Sequence, residues 1–547
     1  MGETRAQQAG GTAATVDHFD GYPTRAEVFD EMFDESGTRQ AYQGLEQAVS
    51  QLGADEMRSR SEYLQSTYLD QGVTFDVGGE ERPFPLDIVP RIVPEADWAA
   101  TSAGVAQRVR ALEAFLSDVY GAGHVFDDGV IPRHVVTSSP HFHRVVAGLR
   151  PANGVRVHVA GIDLVRDRQG TFRVLEDNVR VPSGVSYVLT NRRAMSAALP
   201  EVFGHYTVRS VHSYASRMLA ALRAAAPSGI SDPNIVMLTP GVYNSAYFEH
   251  ALLARQMGVE LVEGRDLVCQ NGQIKARTTR GLRRVHVIYR RVDDDFLDPV
   301  HFRRDSMLGI AGLVNAARAG NVTIANGIGN GVADDKLVYT YVPDLVRYYL
   351  AEEPLLKQVD TWRLEEPEHR AEVMDRLEEL VVKPVDGSGG KGIVIGPLVE
   401  RSEVDAVRAK ILAEPRGWIA QPMVQLSTVP TRIDGAMRPR HVDLRPFAVN
   451  DGEEVWVLPG GLTRVALPEG EMIVNSSQGG GSKDTWVLGT GEDVEPPRPI
   501  ASPQGPHHPL VAKQAQSVQQ AQQADGAGGM TQTVGSMSQT LKPFGEA

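Results

Sequence analysis

Apolar residues follow a helical spacing in the first part of the chain. They recur every three or four positions at Val105, Val109, Leu112, Leu116 and Val119. This spacing places them on one face of a helix. We therefore predict a helix over residues 97–119 that Asp97 caps and Gly121 and Gly123 end. It belongs to a mainly helical N-terminal region, residues 21–135.

A strand-type alternation begins at residue 155 and predicts a hairpin in the segment 136–230. Residues 155–165 form its first strand, 167–170 the turn and 171–175 the return. If Arg166 pairs with Thr171, Asp163 lies opposite Val174. Side chains two apart share a face, so the oxygens of Asp163, Glu176 and Asn178 can converge on one cation. Such ligands suit Mg²⁺. The alternative is a solvated hairpin edge with no ligand.

Strands and a helix then alternate, which predicts a small α/β domain over residues 231–325. Strands over residues 235–238 and 259–262 flank a helix that ends at Gly258, and further strands follow at 285–288 and 321–325. The charged residues 289–295 follow the third strand directly. They are expected either to line a ligand crevice or to form a solvated loop.

A glycine-rich hairpin stands at residues 380–397. Gly387, Gly389 and Gly392 fit a dinucleotide-binding spacing, but that turn requires a following helix and here a strand follows. Gly392 after Lys391 also excludes a P-loop. A glycine hairpin that folds over a triphosphate remains, with Lys383 as a fixed positive charge. An ordinary glycine-rich hairpin with a solvated lysine is the alternative.

Three further segments carry candidate chemistry. Lys336 is predicted near the start of a helix that Asp334 or Asp335 caps. Residues 417–425 read as a strand with polar gaps, typical of a hinge beside a purine. Residues 441–449 and 455–458 form a predicted hairpin on which His441, Asp443 and Arg445 share one face.

Composition limits the class of protein. The 547 residues suggest about three or four domains. A net charge of −14 argues against nucleic acid or an anionic membrane as partner. Cys269 is the single cysteine and is expected in the core, and no membrane or signal segment is apparent, so we expect a cytoplasmic protein. Residues 1–20 and 491–547 are predicted to be a disordered leader and tail.

Several stretches together resemble the circularly permuted type 2 ATP-grasp proteins, relatives of glutathionylspermidine synthase. They occupy residues 85–91, 174–184, 238–249, 287–296, 334–336, 382–384 and 475–480, so that the resemblance covers roughly residues 20–490. It implies a permuted ATP-grasp fold of the α+β or α/β class. The helical N-terminal region and a small α/β pre-grasp unit would precede the nucleotide-binding lobes at 326–490.

The resemblance also implies roles for individual residues. The Mg²⁺ ligands would be Asp163, Glu176 and Asn178, and Lys336 and Lys383 would contact phosphates. The triphosphate would be covered by Gly387, Ser388, Gly389, Gly390, Lys391 and Gly392, with Gln421 near adenine. Arg180, Arg445 and Arg464 would steady the phosphoryl group or a substrate carboxylate. Gly161 departs from the arginine of the spermidine-joining synthases, and no amidase domain is present, so glutathione and spermidine are poor substrate candidates.

The implied activity is an ATP- and Mg²⁺-dependent carboxylate–amine ligase that joins small-molecule or peptide substrates through an acyl phosphate. Two alternatives stay open: a phosphotransferase with a stable phosphorylated product, and a catalytically silent ATP-binding scaffold. The resemblance further suggests action beside alpha-E and transglutaminase-like proteins.

Overall fold

The computed structural model describes residues 16–70, 72–77, 80–387, 392–471, 474, 480–489, 529–534 and 537–542. Residues 1–15 of the predicted leader lie outside this set, but residues 16–20 are part of the fold, contrary to the prediction. Phe19 is buried, and the His18 ring hydrogen-bonds the Leu52 carbonyl at 2.7 Å. An apolar ring with a core to pack against outweighs the polar composition around it.

Helices dominate the first part of the chain, as predicted. They are Gln43–Ser50, Ala54–Asp70, Glu95–Val119, His124–Asp127 and Arg133–Thr137. The predicted cap was wrong, because Glu95–Val119 starts after Pro94 and Asp97 lies inside its first turn. There Asp97 accepts a hydrogen bond from Arg166. Acidic residues in a first turn favour a helix through its dipole without capping it.

A nine-stranded, largely antiparallel sheet forms the centre of the molecule. Its main path is Lys357–Gln358, Phe172–Asn178, Val159–Arg166, Ala436–Arg445, Leu462–Val465 and Gly481–Lys483. Thr428–Ile433, Phe447–Asn450 and Val455–Val457 pair along its sides. The helix Glu95–Val119 packs with this sheet in the largest core cluster. The predicted hairpin of residues 441–449 and 455–458 is confirmed only in part: Phe447–Asn450 pairs with Val455–Val457. Residues 441–445, with His441, Asp443 and Arg445, belong to the separate strand Ala436–Arg445, which pairs with Leu462–Val465 instead.

A four-stranded parallel sheet forms the small α/β unit, as predicted. Its order is Thr323–Ala325, Val287–Arg290, Ile235–Leu238 and Glu260–Val262. The helix Tyr247–Met257 ends at Gly258, which has the left-handed φ of 70° that glycine adopts readily. The other nearby elements are the helices Val185–Ala198, Pro200–Phe203, Tyr214–Ala224, Asp294–Leu297 and Leu313–Arg318 and the strands Leu267–Gln270, Gln273–Thr278 and Gly281–Arg284.

A second lobe carries the glycine-rich segment on its own four-stranded sheet. The order is Trp362–Arg363, Trp418–Pro422, Leu380–Pro384 and Val394–Ile395. Val381 faces Ile395 and Val382 faces Val394, so the predicted hairpin is confirmed. Helices Pro367–Asp375 and Arg401–Ala413 complete a separate small core. Helices Lys336–Tyr339 and Val342–Leu350 precede this lobe in the chain.

Short pairings complete the architecture. Phe33–Asp34 pairs with Gly37–Thr38, Thr74–Val77 with Glu80–Pro83, and Arg91–Val93 runs parallel to Thr485–Val487. Gly529–Val534 and Met537–Lys542 form a hairpin inside the segment that was predicted to have no fold. Its threonines and valine favour strands. None of the helices described is both long and apolar enough to cross a membrane.

Candidate active site

The hairpin Val159–Arg166 and Phe172–Asn178, called the metal hairpin below, brings the predicted metal ligands together. Asp163 lies directly opposite Glu176, and Asn178 lies opposite Gly161. The predicted pairing was wrong: Arg166 faces Phe172, Leu164 faces Val174, and the register shifts by one residue next to Asp163. A bulge of this kind cannot be read from alternation. The predicted first strand also starts later, at Val159.

Lys336 links the metal hairpin to the glycine-rich hairpin. Its ammonium nitrogen lies 3.2 Å from Glu176 Oε1 and donates to the carbonyl oxygen of Gly387. Asp335 caps the helix Lys336–Tyr339 by accepting from the Leu337 amide at 2.9 Å, as one of the two predicted caps. A helix start therefore fixes the backbone of Lys336 while its side chain spans the two hairpins.

Lys383 is a partly buried cation in the strand Leu380–Pro384. Burial and the nearby Lys336 lower the pKa of its ammonium to about 8, although Glu176 and Asp163 act in the opposite direction. No described residue forms a hydrogen bond or an ion pair with this ammonium group. Gly387 and Gly392 of the predicted phosphate loop are described, whereas Ser388, Gly389, Gly390 and Lys391 lie outside the described residues.

Gln421 is buried on the neighbouring strand, where it faces Val381. Its amide nitrogen donates to the Thr361 hydroxyl at 2.9 Å. The side-chain amide thus has a hydrogen-bond partner within the chain. A role for Gln421 near adenine stays a prediction.

Two of the three predicted arginines converge on Asp163. Arg445 Nη2 and Arg464 Nη2 each lie 2.7 Å from Asp163 Oδ2. Burial alone would raise the pKa of Asp163, but the two guanidinium groups outweigh it and lower the pKa to about 2. Arg464 also binds its cross-strand partner Asp443, with Nε 2.9 Å from Oδ2. Burial keeps the pKa of Asp443 above its ordinary value.

Arg445 also fills the space that Gly161 leaves open. A methyl group built on Gly161 would lie 3.2 Å from Arg445 Cδ. A side chain at position 161 would therefore meet the stem of Arg445, which comes from another strand. The absence of a side chain at Gly161 thus leaves room for Arg445 in this site.

Arg180, the third predicted arginine, lies beside a different group of charges. Its guanidinium is 3.1 Å from Asp293 and 3.7 Å from Asp334. Burial raises the pKa of Asp334 to about 7 despite Arg180. Asp293 belongs to residues 291–296, called the acidic segment below, which follow a strand of the parallel sheet and include the start of the helix Asp294–Leu297. The sequence singled out the charged residues 289–295, but it did not identify Asp293 or Asp334 as partners of Arg180.

The metal hairpin offers donors that fit Mg²⁺. Asn178 is only 8% exposed, and its amide nitrogen has no hydrogen-bond partner among the described residues. Glu176 keeps a quarter of its side chain exposed. The Asp163 carboxylate would bind Mg²⁺ while it also accepts hydrogen bonds from Arg445 and Arg464. Since the described part of the chain holds no group of three His, Cys, Asp or Glu side chains suited to a metal, amide and phosphate oxygens would have to complete the shell.

Comparison with known proteins gives one family and several relatives. Residues 90–466 match the family described as circularly permuted ATP-grasp type 2. An uncharacterised protein of Mycobacterium tuberculosis is 61% identical over 86% of both chains. An uncharacterised Synechocystis protein is 50% identical over 80% of this chain and 92% of its own.

Two further matches are more distant. A Frankia alni protein named "Putative glutamate–cysteine ligase 2-3" is 47% identical over 84% of this chain, and the match covers 54% of its own length. Among solved structures, a glutathione synthetase-like effector of Globodera pallida has a TM-score of 0.53 at 11% identity, covering 80% of this chain and 98% of that one. This structural likeness concerns the fold alone. On the family match and the identities above 30%, the chain belongs to the circularly permuted ATP-grasp type 2 family.

Proposed function

We propose that this chain is an ATP-dependent carboxylate–amine ligase that forms an amide or peptide bond through an acyl phosphate and releases ADP and phosphate. The contact that carries the proposal is that of Lys336, whose ammonium binds both Glu176 and Gly387. One cation thus joins the carboxylate side of the site to the glycine side. Phosphoryl transfer needs this arrangement because its catalysis consists mainly of positioning and charge neutralisation.

Each group has a distinct part in the proposed reaction. Lys383 is a cation without a described partner, so a triphosphate would supply the opposite charge that it lacks. Glu176 and Asn178, with Asp163, would hold Mg²⁺, which when bound neutralises phosphate charge. The Arg445 and Arg464 side chains lie against Asp163, where they can stabilise charge on a transferring phosphoryl group.

The choice of a first substrate follows from the relatives. Two Frankia proteins carry the name "Putative glutamate–cysteine ligase", and this chain spans about half of their length. The family and these names support an ATP-dependent ligase. L-Glutamate is therefore the first carboxylate to test, with L-cysteine and simple alkylamines as acceptors.

The test is a product analysis with Mg-ATP, L-glutamate and each amine. The proposal predicts ADP, free phosphate and amide in equal amounts. Lys383→Ala should abolish all three, whereas Lys410→Ala, which alters an exposed lysine of the same lobe, should leave them unchanged. Release of AMP, or phosphate that stays on an organic product, would contradict the ligase reaction.

A further inference from the structure

A histidine–aspartate pair lies in the acidic segment, next to Asp293, which binds Arg180. His143 Nε2 is 3.6 Å from Asp294 Oδ2. The His143 side chain is 11% exposed and that of Asp294 only 3%. The imidazole therefore stands at the edge of a buried carboxylate and reaches solvent. Imidazoles in this position commonly move protons, because a carboxylate fixes the ring and its tautomer.

Both members of the pair are held from several sides. Arg290 Nη2 lies 2.8 Å from Asp294 Oδ1, and the Gly329 amide donates to Asp294 Oδ2 at 3.3 Å. The ring of Phe302 meets the His143 ring edge-on, with centroids 5.0 Å apart. The His143 backbone amide donates to the Tyr120 hydroxyl at 3.2 Å. The pair is thus preorganised rather than a chance surface contact.

The pair is connected to the transfer site through Arg180. Asp293, the neighbour of Asp294 in the chain, holds the Arg180 guanidinium at 3.1 Å. Arg180 itself follows Asn178 of the metal hairpin by two residues. His141 and Arg180 also lie together, since a methyl group on Gly331 would come within 2.9 Å of the first and 3.0 Å of the second. Asp294 also interacts electrostatically with Arg180, and His141 does so with Lys336, so His143 belongs to the same cluster of charged groups as these two cations.

We propose that His143, positioned by Asp294, accepts a proton from the amine substrate in the ligase reaction. This inference rests on the proposed function. The amine enters as an ammonium ion and gives one proton to Nδ1, the ring nitrogen that faces away from Asp294. Its lone pair then attacks the acyl phosphate. The C–N bond forms, the C–O bond to phosphate breaks, and the second proton leaves with the phosphate.

The charges that face His143 set its pKa and thereby the pH dependence of amide formation. Burial lowers its pKa, but Asp294 and Asp295 outweigh burial and Arg290, so the pKa is raised above the ordinary value. His141 stands nearby and has a pKa lowered to about 3 by burial and Arg180, so it stays uncharged at neutral pH. Amide formation should therefore increase as the pH rises through the pKa of His143. Asp294→Asn removes a facing carboxylate and should move this rise to lower pH.

The experiment compares two nucleophiles in the full-length protein with Mg-ATP and L-glutamate. Methylamine is an ammonium ion at neutral pH and needs a proton acceptor, whereas hydroxylamine is mostly uncharged and traps acyl phosphates directly. His143→Gln should slow methylamide formation about 10²–10⁴-fold. Hydroxamate formation should fall far less. His134→Gln is the matched control, since His134 is an exposed histidine 3.4 Å from Glu365, and it should change neither product.

Two outcomes would overturn the role of His143: an equal loss of both products, which indicates a structural role, or full retention of methylamide. If His143→Gln does not fold, the pH profile of Asp294→Asn decides, and an unshifted profile contradicts the inference. Absence of ADP and hydroxamate in the wild type would overturn the proposed function, and this inference with it. Missing ADP in the wild type therefore separates a failure of the proposed function from a failure of the role of His143 alone.

Discussion

Lys383 is a cation whose described surroundings do not neutralise it. Burial and Lys336 lower the pKa of its ammonium to about 8, and Glu176 and Asp163 only partly oppose this shift. A lysine in such a position favours any ligand that brings negative charge, because binding restores the stability that the charged form has lost. The unfavourable environment of Lys383 is therefore a reason to expect an anionic ligand beside it.

The pH dependence of nucleotide binding tests this view of Lys383. Mg-ATP affinity should fall as the pH rises through about 8, by up to about tenfold per pH unit, since the uncharged amine no longer attracts phosphate. Lys383→Arg stays charged and should flatten the dependence. Calorimetric titrations between about pH 7 and 9 measure both. An identical slope in the two proteins would contradict a role for the Lys383 charge.

Three strands of the central sheet meet through one charge network. Asp163 comes from Val159–Arg166, Asp443 from Ala436–Arg445 and Arg464 from Leu462–Val465. Arg464 bonds to both carboxylates, and all three residues are less than 9% exposed. The network therefore fixes the sheet at the point where the metal hairpin must present its ligands.

Removal of the shared arginine should cost stability. Arg464→Met leaves two buried carboxylates with fewer partners, so the free energy of unfolding should fall by about 3–5 kcal/mol in urea denaturation. Arg438→Met on an exposed position of the neighbouring strand is the control and should change it by less than about 0.5 kcal/mol. Equal stability of the two variants would show that the network contributes little.

Sequence signals that act within a few residues predicted most helices and strands. The pairing between strands was not predicted correctly. Gly258 ends the helix Tyr247–Met257 and Asp335 caps the helix Lys336–Tyr339, as predicted, because each signal acts within a few residues. The strands of the metal hairpin were predicted, yet their register was not, since the bulge beside Asp163 leaves no mark in an alternating pattern. Asp97 resembled a cap, but Pro94 starts the helix earlier.

Across the whole molecule, the site draws on parts of the chain that are far apart. Asp163 and Arg445 are 282 positions apart in sequence, and Arg180 meets Asp293 of the small α/β unit. The family resemblance suggested which residue types to expect, but not which ones contact each other. That Arg445 and Arg464 share Asp163, whereas Arg180 is held by aspartates elsewhere, became visible only with the fold.

The central claim is that the glycine hairpin and the metal hairpin form one Mg-ATP site. Calorimetric titration of ATP with Mg²⁺ into the wild type, Lys383→Ala, Glu176→Gln and the control Lys410→Ala tests it most directly. We expect binding in the wild type and the control, loss of binding in Lys383→Ala, and a weakened Mg²⁺ dependence in Glu176→Gln. Wild-type affinity in all four proteins, or no binding in any, would contradict the account.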